Sequence, residues 1–285
     1  MKPGVLLLAH GAPERIEDVP EYLSHVRGGQ PVSPHVLHEV VARYEAIGGS
    51  SPLTHWTRVQ ASALQELLGV PVFFGMRNWH PFVKDTMDQV RAAGIDELAC
   101  VCLAPQYSEM SIGLYVKHAK AAAEGVTLRW ATSYCEEPEL VEAFAERLTG
   151  MAGDMTGKVL FTAHSLPEPN AQYAAEARAT AAAVGSRLNL ADWAFAFQSQ
   201  GMSGGKWLGP TVEETLDGYQ AAGLQSVVLA PVGFVCDHVE VLYDVDVHFR
   251  DYAATRGITL RRPESLNGSA RFTEALANVV ARCWV

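Results

Sequence analysis

The segment from Pro231 to His248 holds the densest set of groups able to bind a cation or move a proton. It leaves an apolar run, passes Gly233 and turns helical, with Asp237 placed to cap the helix N-terminus. Glu240, Asp244 and His248 then recur at i, i+4 and i+8, on one helix face and along roughly 12 Å of axis. Val239, Val241, Leu242, Val245 and Val247 surround them, so the helix is expected to be largely enclosed. A polar stripe on an enclosed helix costs desolvation energy unless its groups pair, ligate or line a channel. Such a row of oxygen and nitrogen donors can pass a divalent ion or protons. A solvated helix face, the competing reading, would do neither.

His164 is the second element, in Ala163-His164-Ser165-Leu166-Pro167, just beyond the apolar run Lys158–Ala163. A histidine at the carboxyl end of a strand is placed for ligation or proton transfer, and its ordinary pKa of ~6.5 suits both. A structural histidine bonded within its own turn is the alternative. Basic groups form the third element. Arg27 lies in His25-Val26-Arg27-Gly28-Gly29, and Arg43 precedes Gly48-Gly49-Ser50-Ser51-Pro52, where one helix ends and another begins. Ser50, Ser51 and the backbone N–H groups after them make an anion site. In a chain of net charge 22 − 32 = −10, this local arrangement points to carboxylates or phosphates, with surface salt bridges as the competing reading. Three other motifs fail: Gly201 to Trp207 has the wrong spacing for a phosphate loop, no G-x-G-x-x-G follows a strand, and His38-Glu39 lacks a second histidine at 42.

These groups need a scaffold. With 285 residues, 48% hydrophobic and 19% charged, the chain is a folded protein of two domains or one large α/β unit. Its acidity argues against nucleic acid as the main partner, though a local basic patch is compatible with it, and no apolar run reaches the ~18 residues of a membrane span. Apolar runs predict strands at Gly4–Ala9, Val70–Gly75, Glu97–Leu103, Val126–Ala131, Lys158–Ala163, Ala191–Phe197, Ser226–Ala230 and Ile258–Arg261. Amphipathic stretches between them, and a last one over 270–283, predict helices, hence βαβ units and parallel sheet. Leu8-Ala9-His10-Gly11-Ala12-Pro13 is echoed by Thr162-Ala163-His164-Ser165-Leu166-Pro167, and Leu103-Ala104-Pro105 by Leu229-Ala230-Pro231. The echoes predict two related halves, with His10 and His164 at matching strand ends, where open α/β sheets bind ligands. The five cysteines, Cys100, Cys102, Cys135, Cys236 and Cys283, form no C-x-x-C pair and read as buried hydrophobes in a reducing cytoplasm.

Taken together, Arg43-Tyr44-Glu45-Ala46-Ile47-Gly48-Gly49, Ser51-Pro52-Leu53, Ala163-His164-Ser165-Leu166-Pro167, Gln198-Ser199, Trp207-Leu208-Gly209-Pro210 and the run Gly233 to Asp244 resemble the ferrochelatases, which insert ferrous iron into a porphyrin. The resemblance covers nearly the whole chain and is strongest toward the short, soluble bacterial coproporphyrin type. It implies an α/β fold of two similar Rossmann-like, doubly wound halves facing a porphyrin cleft, with residues 1–110 and 264–285 in the first and 111–263 in the second. It also implies His164 and Glu240 as the catalytic pair, and a metal path of His164, Glu240, Asp244 and His248 on a helix with a π-helical segment. His10, Arg27, Arg43, Ser51, Tyr115 and Trp207 match porphyrin-binding positions. Coproporphyrin III is expected over protoporphyrin IX, since the sequence shows no apolar membrane-docking lip. Ferrous iron is a substrate; no organic cofactor and no iron–sulfur cluster are expected, because only Cys283 lies near the C-terminus. The implied protein is a cytoplasmic monomer. The chain departs from the family in three places. His10 stands where tyrosine is usual, which makes it a candidate axial ligand of the iron-porphyrin product. The segment Pro167 to Tyr173 lacks a Gly-Asp-x-Tyr element, and His248 stands where a carboxylate is common. A sirohydrochlorin-type cobalt chelatase and a non-catalytic haem or porphyrin carrier are the competing functions. The first would demand more basic groups, and the second would not need the Glu240–Asp244–His248 stripe.

Overall fold

A computed structural model describes residues 2–151, 157–201 and 204–284. The chain divides into two compact units, the first made of Met1–Tyr134, Cys236–Val239 and Asn267–Val285, the second of Cys135–Val235 and Glu240–Leu266.

The first unit runs β1 (Pro3–Ala9), α1 (Val19–Val26), α2 (Pro34–Ala46), α3 (Leu53–Leu68), β2 (Val72–Met76), α4 (Val83–Ala92), β3 (Glu97–Cys102), α5 (Leu114–Ala122) and β4 (Thr127–Ala131). The second runs α6 (Pro138–Thr149), β5 (Lys158–His164), α7 (Ala171–Arg187), β6 (Trp193–Gln198), α8 (Val212–Ala221) and β7 (Ser226–Pro231). There follow α9 (Val239–Leu242), which begins in the first unit, a π-helix over Asp244–Phe249, α10 (Arg250–Ala254) and β8 (Thr259–Arg261). The closing helix α11 (Ala270–Cys283) returns to the first unit and packs on α3 and β3.

All eight expected strands form, each displaced by at most two residues at either end. They make two parallel sheets with one topology: β2-β1-β3-β4 in the first unit and β6-β5-β7-β8 in the second. The internal echo thereby acquires a meaning. His10 follows the first strand of one sheet and His164 ends the first strand of the other. Pro105 follows the third strand of one sheet, and Pro231 ends the third of the other. The strand order reverses between first and third strands, which is where such sheets open a crevice at their carboxyl ends. The boundary expected near residue 110 lies instead at Tyr134, because β4 pairs in register with β3, Cys100 opposite Trp130, and so belongs to the first sheet.

The central strands carry the cores. β3 is buried along its whole length, as expected of a parallel strand covered on both faces. Leu6, Leu8, Cys100 and Cys102 share one core with α4 and α5, so both cysteines serve as small hydrophobes. In the second unit Leu160, Val227 and Leu229 pack against Val245 and Phe249 of the π-helix. No helix among the described residues is long and apolar enough to cross a membrane.

Candidate active site

His164 is set by the end of β5. Its carbonyl accepts from the Tyr173 hydroxyl at 2.9 Å, and the next residue is held through Ser165 N–H to the Gln198 carbonyl at 2.7 Å and Ser165 Oγ to the Leu208 carbonyl at 2.8 Å. The imidazole donates from Nδ1 to the Ser165 carbonyl. That bond fixes the tautomer, because a carbonyl oxygen can only accept. Nε2 is left facing Glu240 Oε1 at 3.3 Å. Without a proton on either atom, two lone pairs oppose each other there. The pair is therefore built to hold a cation or a proton between nitrogen and oxygen.

Glu240 arrives from the β7 loop. Gly233 makes the turn possible: a Cβ there would lie 2.6 Å from Ala163 Cβ and 2.7 Å from Ala163 Cα. Gly233 N–H instead donates to the Thr162 carbonyl at 3.1 Å. Gln198 braces the far side. Its Oε1 accepts from Thr162 Oγ1 at 2.6 Å, and its Nε2 donates to the Glu240 carbonyl at 2.9 Å and to Ser199 Oγ at 3.3 Å. Phe234 stands edge-on to the His164 ring with centroids 6.5 Å apart. Burial pulls the His164 pKa down, but the Glu240 charge and hydrogen bond, the Ser165 carbonyl and the Asp244 charge more than reverse it, so it stands above its ordinary value of 6.5.

Asp244 is nearly enclosed, at 5% exposure, and its Oδ2 accepts from the Ser199 hydroxyl. The π-helix is present as implied, closed by His248 N–H to the Tyr243 carbonyl at 2.9 Å. It does not deliver one continuous row of ligands. His248 turns to Glu213 on α8, Nε2 to Oε1 at 3.0 Å, and its side chain stays half exposed. Among the described residues no group of three or more His, Cys, Asp or Glu side chains is gathered to hold a metal ion. His164 and Glu240 are brought together and Asp244 lies close enough to act on His164 by charge, while His248 is engaged elsewhere. The helix also starts later than expected. Asp237 lies two residues before its first turn, and its carboxylate accepts from Asn267 Nδ2 at 2.8 Å, tying the loop to the segment before α11.

Trp207 sits beside the His164 turn, where its segment bridges to Pro167 and Leu208 N–H donates to the Leu166 carbonyl at 2.9 Å. Within the Gly201–Trp207 run, residues 202 and 203 lie outside the described set.

The remaining expected residues belong to the first unit. Arg27 is the exposed C-cap of α1, and Arg43 lies half-buried in the last turn of α2. Ser51 is buried just before Pro52, the N-cap of α3, and its Oγ accepts from Leu53 N–H at 3.4 Å. Tyr115 is buried beneath the Arg77 guanidinium, 5.4 Å from the ring centroid. His10 is held at both ring nitrogens, by the Gly11 carbonyl at 3.1 Å on Nδ1 and by Asn78 Nδ2 at 3.0 Å on Nε2. Ser199, Tyr173, Asn78 and Arg77 are participants that residue spacing did not single out. Only Ser199 had a signal, as a neighbour of Gln198 in the resembling motif.

Comparison with known proteins gives the same direction throughout the chain. The family model described as Ferrochelatase matches residues 2–283. A ferrochelatase of Acidobacterium capsulatum is 44% identical over 98% of this chain and 93% of its own. A coproporphyrin III ferrochelatase of Geobacillus kaustophilus is 35% identical over 99% of this chain and 96% of its own. Among solved structures, a sirohydrochlorin chelatase of Bacillus subtilis subspecies spizizenii in complex with cobalt superposes with a TM-score of 0.65, covering 99% of this chain and 95% of that one at 10% identity. That likeness establishes a chelatase-like fold.

Proposed function

Because the chain belongs to the ferrochelatase family, lyases that insert iron into a porphyrin in haem biosynthesis, we propose that it prefers coproporphyrin III and that His164 and Glu240 together handle the metal and the pyrrole protons. The carrying observation is the His164 Nε2–Glu240 Oε1 pair, in which the Ser165 carbonyl holds Nδ1 and leaves Nε2 turned to the carboxylate. A porphyrin presents two very weakly acidic N–H groups, and iron enters only as those protons leave. An imidazole nitrogen and a carboxylate oxygen 3.3 Å apart can accept such a proton or share the incoming ion. Asp244, held by Ser199, adds a second negative charge that favours either cation. Iron is here a substrate.

Coproporphyrin III carries four propionates and protoporphyrin IX two. Arg27 and Arg43 of the first unit, with Ser51 before the start of α3, are the groups this reading assigns to carboxylates. Each charge-assisted contact contributes ~1.5–3 kcal/mol. Arg43→Ala is expected to raise the apparent KM for coproporphyrin III by roughly ten- to a hundredfold with little change in kcat. The deciding assay is ferrous iron insertion into coproporphyrin III, protoporphyrin IX and, with cobalt in parallel, sirohydrochlorin. A higher kcat/KM for protoporphyrin IX sinks the substrate assignment, and turnover of sirohydrochlorin alone sinks the whole reading.

The elevated His164 pKa sets a pH dependence. Below it the imidazolium already holds the proton that Nε2 would accept, so kcat/KM should rise with pH through an apparent pKa above 6.5. Folding stability should move the other way. A histidine with a raised folded pKa contributes stability that is complete below its unfolded value and is lost as pH rises through the folded one. Asp244→Asn removes one of the charges that raise it, and should shift the acid limb of the rate profile downward. An unmoved limb in that variant would detach Asp244 from the proton chemistry.

A further inference from the structure

The first unit carries a cavity of about 650 Å³ at the amino ends of its strands, the end of the sheet opposite His10. That volume lies in the range that holds a small organic molecule. Every residue lining it belongs to this unit, and none belongs to the His164–Glu240 pair. Strand alternation explains its charged wall. Ala99 of β3 stands opposite Arg129 of β4, and Glu97 lies two residues before Ala99, so Glu97 and Arg129 share one face of the sheet. Leu98 and Cys100 point the other way, into the core with α4 and α5, which leaves the pair on the face that α11 covers. Leu68, Val280 and Trp284 form apolar walls, and Ala281 lines the cavity while remaining exposed.

Glu97 is a carboxylate whose side chain is only 8% exposed, in an otherwise apolar layer, a placement that costs desolvation energy unless the charge is paired. Its partner is Arg129, whose Nε–H donates to Oε1. A guanidinium carries five N–H donors in one rigid plane. Among the described residues Glu97 alone accepts from Arg129, whose side chain is 44% exposed. The bond at Nε therefore fixes the plane and leaves the terminal N–H groups without a protein acceptor. A pair serving stability alone would gain little over two apolar side chains here. A guanidinium aimed by a buried carboxylate, beside an indole and aliphatic walls, matches instead a carboxylate on a flat apolar body. The two oxygens take the fork and the ring lies against Trp284. We infer that this cavity is a binding site for a small aromatic carboxylate, separate from the reaction carried at His164 and Glu240. A rigid ring suits it better than a flexible chain, because it loses less conformational freedom on binding.

The test is calorimetric binding of 2-naphthoate to the full chain, with 2-naphthalenemethanol and octanoate as comparison probes. Wild type should bind 2-naphthoate at least about tenfold more tightly than the uncharged alcohol, the effect of one charge-assisted contact. Arg129→Met keeps the aliphatic stem, removes the fork and should abolish that preference. Because it leaves Glu97 buried without its partner and can fail to fold, the double variant Glu97→Gln/Arg129→Met carries the same expectation. Ala281→Leu keeps the charged pair and should weaken 2-naphthoate by filling the space, while inserting iron at the wild-type rate. Folded wild type that binds no 2-naphthoate overturns the inference. So does binding that neither the Arg129 variants nor Ala281→Leu changes, since the ring then sits on another surface. Tighter binding of octanoate than of 2-naphthoate overturns the assigned ligand class, and a collapsed insertion rate in Ala281→Leu overturns the separation from the reaction.

Discussion

Replacing Glu240 by glutamine is expected to cut iron insertion at least ~10²-fold while leaving porphyrin binding in place. Glutamine keeps the shape of the side chain but carries no charge and has little basicity. The carboxylate oxygen 3.3 Å from His164 Nε2 is what makes that gap attractive to a proton or a divalent ion. With an amide there, either the oxygen meets the imidazole lone pair without charge to draw in a cation, or the NH₂ donates to Nε2 and blocks it. The backbone would not move, because the Glu240 carbonyl remains tied to Gln198 at 2.9 Å. The same substitution removes the largest influence that raises the His164 pKa, so the residual activity should show its acid limb at lower pH. Turnover close to wild type would remove Glu240 from the chemistry.

Gly233→Ala is expected to disturb both fold and site. Glycine is required here by the approach of two chains. The added Cβ would sit 2.6 Å from Ala163 Cβ and 2.7 Å from its Cα, on the central strand of the second sheet. Overpacking of this kind costs roughly 1–3 kcal/mol, read as a lower melting temperature. The loop can escape only by lifting from β5, breaking the Gly233 N–H bond to Thr162 and carrying Glu240 away from His164. A displacement near 1 Å at reacting groups can cost ~10²-fold in rate, so kcat should fall with little change in porphyrin affinity. Adding Ala163→Gly removes one of the two clashing atoms and should restore part of both losses. Wild-type melting and turnover in Gly233→Ala would show that the loop has slack the close contact denies.

The elements were legible because their signals are local. Parallel strands covered on both faces read as short unbroken apolar runs, and β1, β3, β5 and β7 are of that kind. The closing helix 270–283 was equally plain, since its apolar stripe repeats at helical spacing under a Ser269 cap. What local reading missed was decided by pairing. The boundary after residue 110 failed because β4 is assigned to the first unit by its hydrogen bonds to β3, and nothing in residues 111–134 announces that register. Asp237 has the spacing of a helix cap, but its two-bond pairing with Asn267, thirty residues on, through N–H to Oδ1 and Nδ2 to carboxylate, is nothing that local spacing announces.

The site divides along the same line. Residue type and spacing alone determined that His164 would sit at a strand end, that Glu240 and Asp244 would follow a glycine turn onto one helix, and that the chain repeats a single α/β design. These are consequences of side-chain chemistry and helical periodicity, which act over a few residues. Tertiary structure decided which nitrogen of each histidine is available. Ser165 turns His164 Nε2 toward Glu240, Glu213 on α8 takes His248, and Asn78 covers His10. An imidazole has two similar nitrogens and no intrinsic preference strong enough to choose between them. The choice falls to whichever donor or acceptor the fold brings within about 3 Å, from residues that the sequence places anywhere.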